Sequence, residues 1–118
     1  MWHRVFIFES ESCQILSSYG SRDPGIGRNE MYNPVHASVD TLGCVVVADS
    51  ANNRVCLFSP NQLVLLRELI CKEGSDYQLV EPYRALLDQA SGHLYVGSND
   101  GHIHVFRVMH KCRAALQM

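Results

Sequence analysis

No apolar run in this chain reaches the roughly 18 residues that a membrane-spanning helix needs, and no Cys-x-x-Cys pair occurs. The first absence excludes a helical span, and the second excludes a zinc ribbon of that spacing. An excess of basic charge is also missing: ten Lys and Arg stand against twelve Asp and Glu, for a formal net charge of −2. A dedicated electrostatic nucleic-acid binder carries a basic excess, so this balance argues against that class. The residues from Met1 to Glu9 offer no small-residue cleavage site, and no signal peptide is read there. G-x-S-x-G, P-loop, H-E-x-x-H and G-x-G-x-x-G motifs are all absent, so neither catalysis nor a cofactor is expected.

What is present is apolar material: 47% of the 118 residues are hydrophobic and 19% charged, a supply that fills the core of one small domain and argues against disorder. The five cysteines are Cys13, Cys44, Cys56, Cys71 and Cys112. Their odd number and irregular spacing indicate no disulfide framework, and a reducing, cytoplasmic setting is expected.

The chain repeats itself. Pro34 to Phe58 reads PVHASVDTLGCVVVADSANNRVCLF, and Pro82 to Phe106 reads PYRALLDQASGHLYVGSNDGHIHVF. Pro34, Asp40 and Phe58 match Pro82, Asp88 and Phe106 at an offset of 48. A partial copy opens the chain, where Arg4-Val-Phe-Ile-Phe8 matches Arg54-Val-Cys-Leu-Phe58 at an offset of 50. Each copy holds short β-branched or aromatic runs bounded by turn residues. Ser98-Asn-Asp-Gly101 between two such runs is a hairpin signal, because Gly and Asn tolerate positive φ. The repeat therefore predicts strands over about 35–39, 45–48, 54–59 and 63–70, although Leu63 to Cys71 taken alone also suits a helix. Four short antiparallel strands in a repeat of about 40 to 50 residues mark a β-propeller blade.

The middle copy carries a more specific signature. Pro34, Asp40, Gly43, Val47-Ala-Asp-Ser50, Asn52-Asn-Arg-Val55 and Phe58 resemble the NHL repeat, and the likeness extends over about residues 4 to 108. The last copy departs from it, with Gly97-Ser98 in place of Ala-Asp and His102 in place of Arg. The fold class expected is all-β: a partial propeller of about two and a half blades. Residues 1–33 form a half blade with its connecting loop, 34–81 a complete blade, and 82–118 the last blade and tail. The strands number nine, or ten if Lys111 to Leu116 adds one, whereas closure needs about four blades or more. The remaining blades are therefore expected in a longer chain or an assembly partner. The resemblance implies a recognition platform, since such propellers commonly end ubiquitin ligases that begin with a RING finger, B-boxes and a coiled coil. A protein target is the first partner it implies and RNA the second. A metal-dependent propeller lyase is a more distant alternative, and no membrane partner is expected.

Within the motif, Asp49 is read as accepting N–H bonds from the turn after it, and Arg54 as its ion-pair partner. Asn52 and Asn53 are read as left-handed turn residues. Asp40 and Asp88 are read as turn formers, and Phe6, Phe8, Val47, Val55, Phe58, Val96, Ile103 and Phe106 as core. The loops at one rim are Gly20 to Asn33, Asp49 to Arg54, Lys72 to Tyr83 and Gly97 to His102. They hold seven acids and four bases, a mixed charge that suits a protein partner better than a phosphate backbone. The binding candidates there are Arg28, Tyr32, Asn53, Arg54, Tyr77 and Tyr83; the plain alternative is a solvated loop face. His102 and His104 point to one side of a strand, with His93 on the partner strand but offset from both; a zinc site needs three or four convergent ligands, and the sequence does not assure a third. Cys44 and Cys56 read as buried small hydrophobes rather than nucleophiles.

Overall fold

The computed structural model describes residues 2–70 and 79–108. Three antiparallel sheets follow one another along the chain. The first pairs β1 (His3–Phe8) with β2 (Ile15–Ser21). The second orders β3 (Pro34–Val39), β4 (Val45–Asp49), β5 (Arg54–Phe58) and β6 (Leu65–Ile70). The third orders β7 (Pro82–Asp88), β8 (His93–Ser98) and β9 (Ile103–Arg107). Within each sheet, every strand pairs with the next one in the chain. The ambiguous run after Leu63 is a strand, because its pairing with β5 settles what its local sequence leaves open. No helix among the described residues is long and apolar enough to cross a membrane.

The middle sheet is central, and its composition shows why. β4 and β5 are buried at every position, as strands covered on both faces must be, and they read as near-continuous apolar runs. Alternation sorts their side chains into two cores. Val46, Val55 and Leu57 pack with Ala85, Leu94 and Val96 of the third sheet. Val45, Val47, Cys56 and Phe58 pack with Val5, Ile7 and Tyr19 of the first. The Tyr19 ring meets Phe58 edge-on at 5.0 Å. Polar contacts tie the central and third sheets as well: Ser38 Oγ donates to the Ala85 carbonyl at 2.7 Å, and Gln89 Nε2 to Asp40 Oδ2 at 2.6 Å.

The repeat is visible in the irregularities too. Both copies start a strand on proline, and in both the register slips directly after it, between Pro34 and His36 and between Pro82 and Arg84. Proline lacks the N–H of a regular ladder, so it is tolerated at a strand start or a bulge. Asp40 and Asp88 both close the turns that follow them. Asp40 Oδ1 accepts from the N–H groups of Leu42 and Cys44, and Asp88 Oδ1 from that of Ala90.

Three expectations need correction. Ile103, read as core, is 74% exposed, and Phe8 is 54% exposed. Both lie on sheet faces turned away from the central sheet, where no described element covers them. Cys44 is disulfide-bonded, where the cysteine count indicates no disulfide framework and a reducing setting; Cys13 and Cys56 are free.

Candidate binding surface

The turn from β4 to β5 is organised by a buried ion pair. Asp49 Oδ2 accepts from Arg54 Nε at 2.7 Å, with the two side chains 0% and 1% exposed. The guanidinium is saturated further: Nη1 donates to Glu68 Oε2 at 2.6 Å and Nη2 to the Glu30 carbonyl at 2.7 Å. Burial alone lowers the Arg54 pKa, but Cys56, Asp49 and Glu68 over-compensate and hold it above the ordinary arginine value. The Asp49–Arg54 contact is thus the one the sequence indicates. The rest of the turn differs from the expectation. Asp49 takes its backbone N–H from Tyr32 (2.8 Å), in the preceding loop, and not from the turn after it. Asn53 is left-handed at φ 52°, while Asn52 sits in the 3-10 turn Ser50–Asn52 and donates to the Gly25 carbonyl and to Asp49 Oδ2.

These bonds sew the loops of one rim together. The Ala51 N–H reaches the Tyr32 carbonyl, and the Asn99 N–H the Val80 carbonyl. The Glu81 N–H reaches Asn53 Oδ1 at 2.8 Å. The described parts of the rim loops are thus bonded to one another.

The six candidate residues fall in different places. Arg54 is buried, with its guanidinium bonded to Asp49, Glu68 and the Glu30 carbonyl, and it lines the floor of a groove at the rim. Asn53 is on the rim but spends its side-chain oxygen on Glu81. Tyr32 is on the rim and exposed, with its ring edge-on to His3 at 5.5 Å. Arg28 is exposed and lines an open groove of about 600 Å³ between β2 and β6, with Tyr19, Ile26, Leu63, Val64 and Glu68. Tyr83 lies on the outer face of the third sheet, its ring over Gly97, in an apolar hollow with Leu86, Tyr95 and Ile103. The bulge after Pro82 accounts for that placement, since it re-aims the following side chain. Tyr77 lies outside the described residues. Among the described residues the groove brings Arg28 and Arg54 together, and the hollow beside Tyr83 shares no lining residue with it. Glu68 is the residue the sequence reading missed. Its register opposite Cys56 puts it over Arg54, and the only sequence signal is a lone acid in an apolar strand.

Cys56, the one mid-strand thiol beside this network, is not poised for chemistry. Burial pushes its pKa up to about 12; Arg54 opposes the shift, and Asp49 and Glu68 reinforce it. A thiol reacts as its thiolate, so the native protein should alkylate with iodoacetamide at exposed Cys13 and not at Cys56. Peptide mapping of labelled sites before and after denaturation checks this, and native labelling of Cys56 would count against its burial.

No known family model matches the chain, and no curated protein matches it.

Proposed function

We propose that the chain is a non-catalytic binding and scaffold module, a run of NHL-type propeller blades that recognises a protein target as part of a longer, ubiquitin-ligase-like protein. One observation carries this reading. In the central sheet, Val46, Ala48, Val55 and Leu57 are buried, and the face holding Val46, Val55 and Leu57 is covered by the third sheet. The repeat places Tyr95, Gly97, Ile103 and Val105 at the equivalent positions of the third sheet. Three of these are large side chains left exposed, on a face of the same register. A repeat sheet cannot bury both faces alone, so stacking on a further sheet is the natural completion. The rim of interlocked loops, with Tyr32 and Arg28 exposed and mixed charge around them, supports a protein partner.

The test is hydrodynamic. At rising concentration the isolated chain should self-associate through the uncovered face, and Ile103→Lys with Val105→Lys should suppress this. On a blot of source tissue, an antibody to residues 72–82 should mark a product far above 13.3 kDa. A monodisperse monomer with a sharp cooperative melt, together with a native band at 13.3 kDa, would overturn the reading.

A second reading, single-stranded RNA binding, has one specific feature in its favour. Trp2 is 60% exposed and flanked by the guanidinium groups of Arg4 and Arg22, at 5.5 and 5.9 Å from the ring. Aromatic and guanidinium planes together can stack bases. RNA retention on a filter that weakens with salt and is lost in Trp2→Ala would favour it; undetectable retention at low salt removes it.

A further inference from the structure

The hairpin joining β8 to β9 holds a group that the proposed function does not use. Two of its members are visible in the sequence: His102 and His104, two apart, share one side of the strand. The turn brings in the third. Gly101 adopts φ +87° and donates its N–H to the Ser98 carbonyl, and the Ser98 N–H reaches the His102 carbonyl at 3.0 Å. This closure folds Asp100 back over the start of the next strand. Its Oδ1 takes the His102 N–H at 3.1 Å, and its Oδ2 lies 3.2 Å from His102 Nδ1. One ligand atom each from Asp100, His102 and His104 lie within 4.8 Å of one another.

We propose that Asp100, His102 and His104 form a zinc site on this hairpin. The donor set is two imidazoles and a carboxylate, which suits zinc; the hard cations Mg²⁺ and Ca²⁺ prefer oxygen ligands throughout. Zinc–ligand bonds of about 2.0–2.1 Å in a tetrahedron separate the ligand atoms by about 3.3 Å. The present spread, up to 4.8 Å, is wider than that, and His102, 73% exposed, has room to rotate and narrow it. His104 is the fixed member. Its ring stacks on Phe106 at 6.1 Å and an interplanar angle of 15°. Its Nε2 is buried with no hydrogen-bond partner, an imidazole nitrogen that folding has left unsatisfied, which is uncommon for a buried polar atom. The backbone N–H on Asp100 Oδ1 supplies the outer-shell support that orients a metal-ligating carboxylate. Three protein ligands leave the fourth position for water or an incoming donor, at the rim where the loops converge.

Titration of the full chain with Zn²⁺ by calorimetry, and with Co²⁺ by visible spectroscopy, tests the assignment. One equivalent should bind saturably, and the cobalt spectrum should lack the thiolate charge-transfer band that Cys13 would give. His102→Asn and Asp100→Asn, both at exposed positions, should each weaken binding at least roughly tenfold, while His93→Asn should leave it unchanged. His104→Asn should also abolish saturation, and its far-ultraviolet circular dichroism distinguishes loss of ligand from loss of fold. Absence of saturable binding by the wild type, a thiolate band, or binding that survives His102→Asn would overturn the site.

Discussion

Arg54→Ala should destabilise the protein by about 3–5 kcal/mol, whereas Glu68→Ala should cost less than about 1 kcal/mol. Both residues bond within one network, so the contrast isolates what burial does. Arg54 and Asp49 are 1% and 0% exposed. Removing the guanidinium leaves a carboxylate sealed from water with only the Tyr32 N–H and the Asn52 amide to solvate it. The Glu68 side chain is 43% exposed, so water replaces its partner at little cost. Asp49→Ala should match Arg54→Ala and add a rim effect, since it also frees the Tyr32 N–H. Urea denaturation monitored by circular dichroism measures all three. Equal losses for Arg54→Ala and Glu68→Ala, or an Arg54→Ala loss below about 1 kcal/mol, would show that the pair is not a buried anchor.

Much of the frame is legible in the sequence because it rests on short-range chemistry. Strand and turn positions follow from β-branched runs, from Asp at the turns and from Gly43, Gly92 and Gly101, all with positive φ. The Asp49–Arg54 pair is legible because both residues flank one tight turn. What escapes is set by contacts across distant segments. The Glu30 carbonyl and the Tyr32 N–H join the network from 24 and 17 residues away, and no local pattern announces a backbone partner. Tyr83 fails as a rim candidate because a bulge, invisible in composition, turns it onto the sheet face. Asp100 escapes as a third ligand because its approach to the histidines depends on the φ of Gly101. Ile103 misleads in the opposite direction: its pattern is that of a covered strand, yet no described element covers that face of the third sheet. Loop placement is the less legible part, since it depends on tertiary contacts that no local pattern encodes.

The departure of the third sheet from the repeat yields a sharper test of that frame. Ser98 occupies the place of Asp49: it pairs with Pro82 as Asp49 pairs with Pro34, and it is fully buried. The neighbouring peptide is also equivalent, since the Val80 carbonyl accepts from Asn99 as the Tyr32 carbonyl accepts from Ala51. Yet Ser98 Oγ has no hydrogen-bond partner, and His102 stands where Arg54 would. Ser98→Asp alone should therefore destabilise by about 3 kcal/mol, because it buries a carboxylate without its cation. Adding His102→Arg should recover about 1–3 kcal/mol of that loss, the coupling expected of residues in direct contact. His102→Arg by itself should change little, as its position is exposed. A double-mutant cycle in urea gives the coupling directly. Recovery would mean that the turn in the third sheet keeps the geometry of the central one and has lost only its charges. Additive losses would mean that the two turns differ in backbone as well as in side chains, and that the repeat has diverged further than its register indicates.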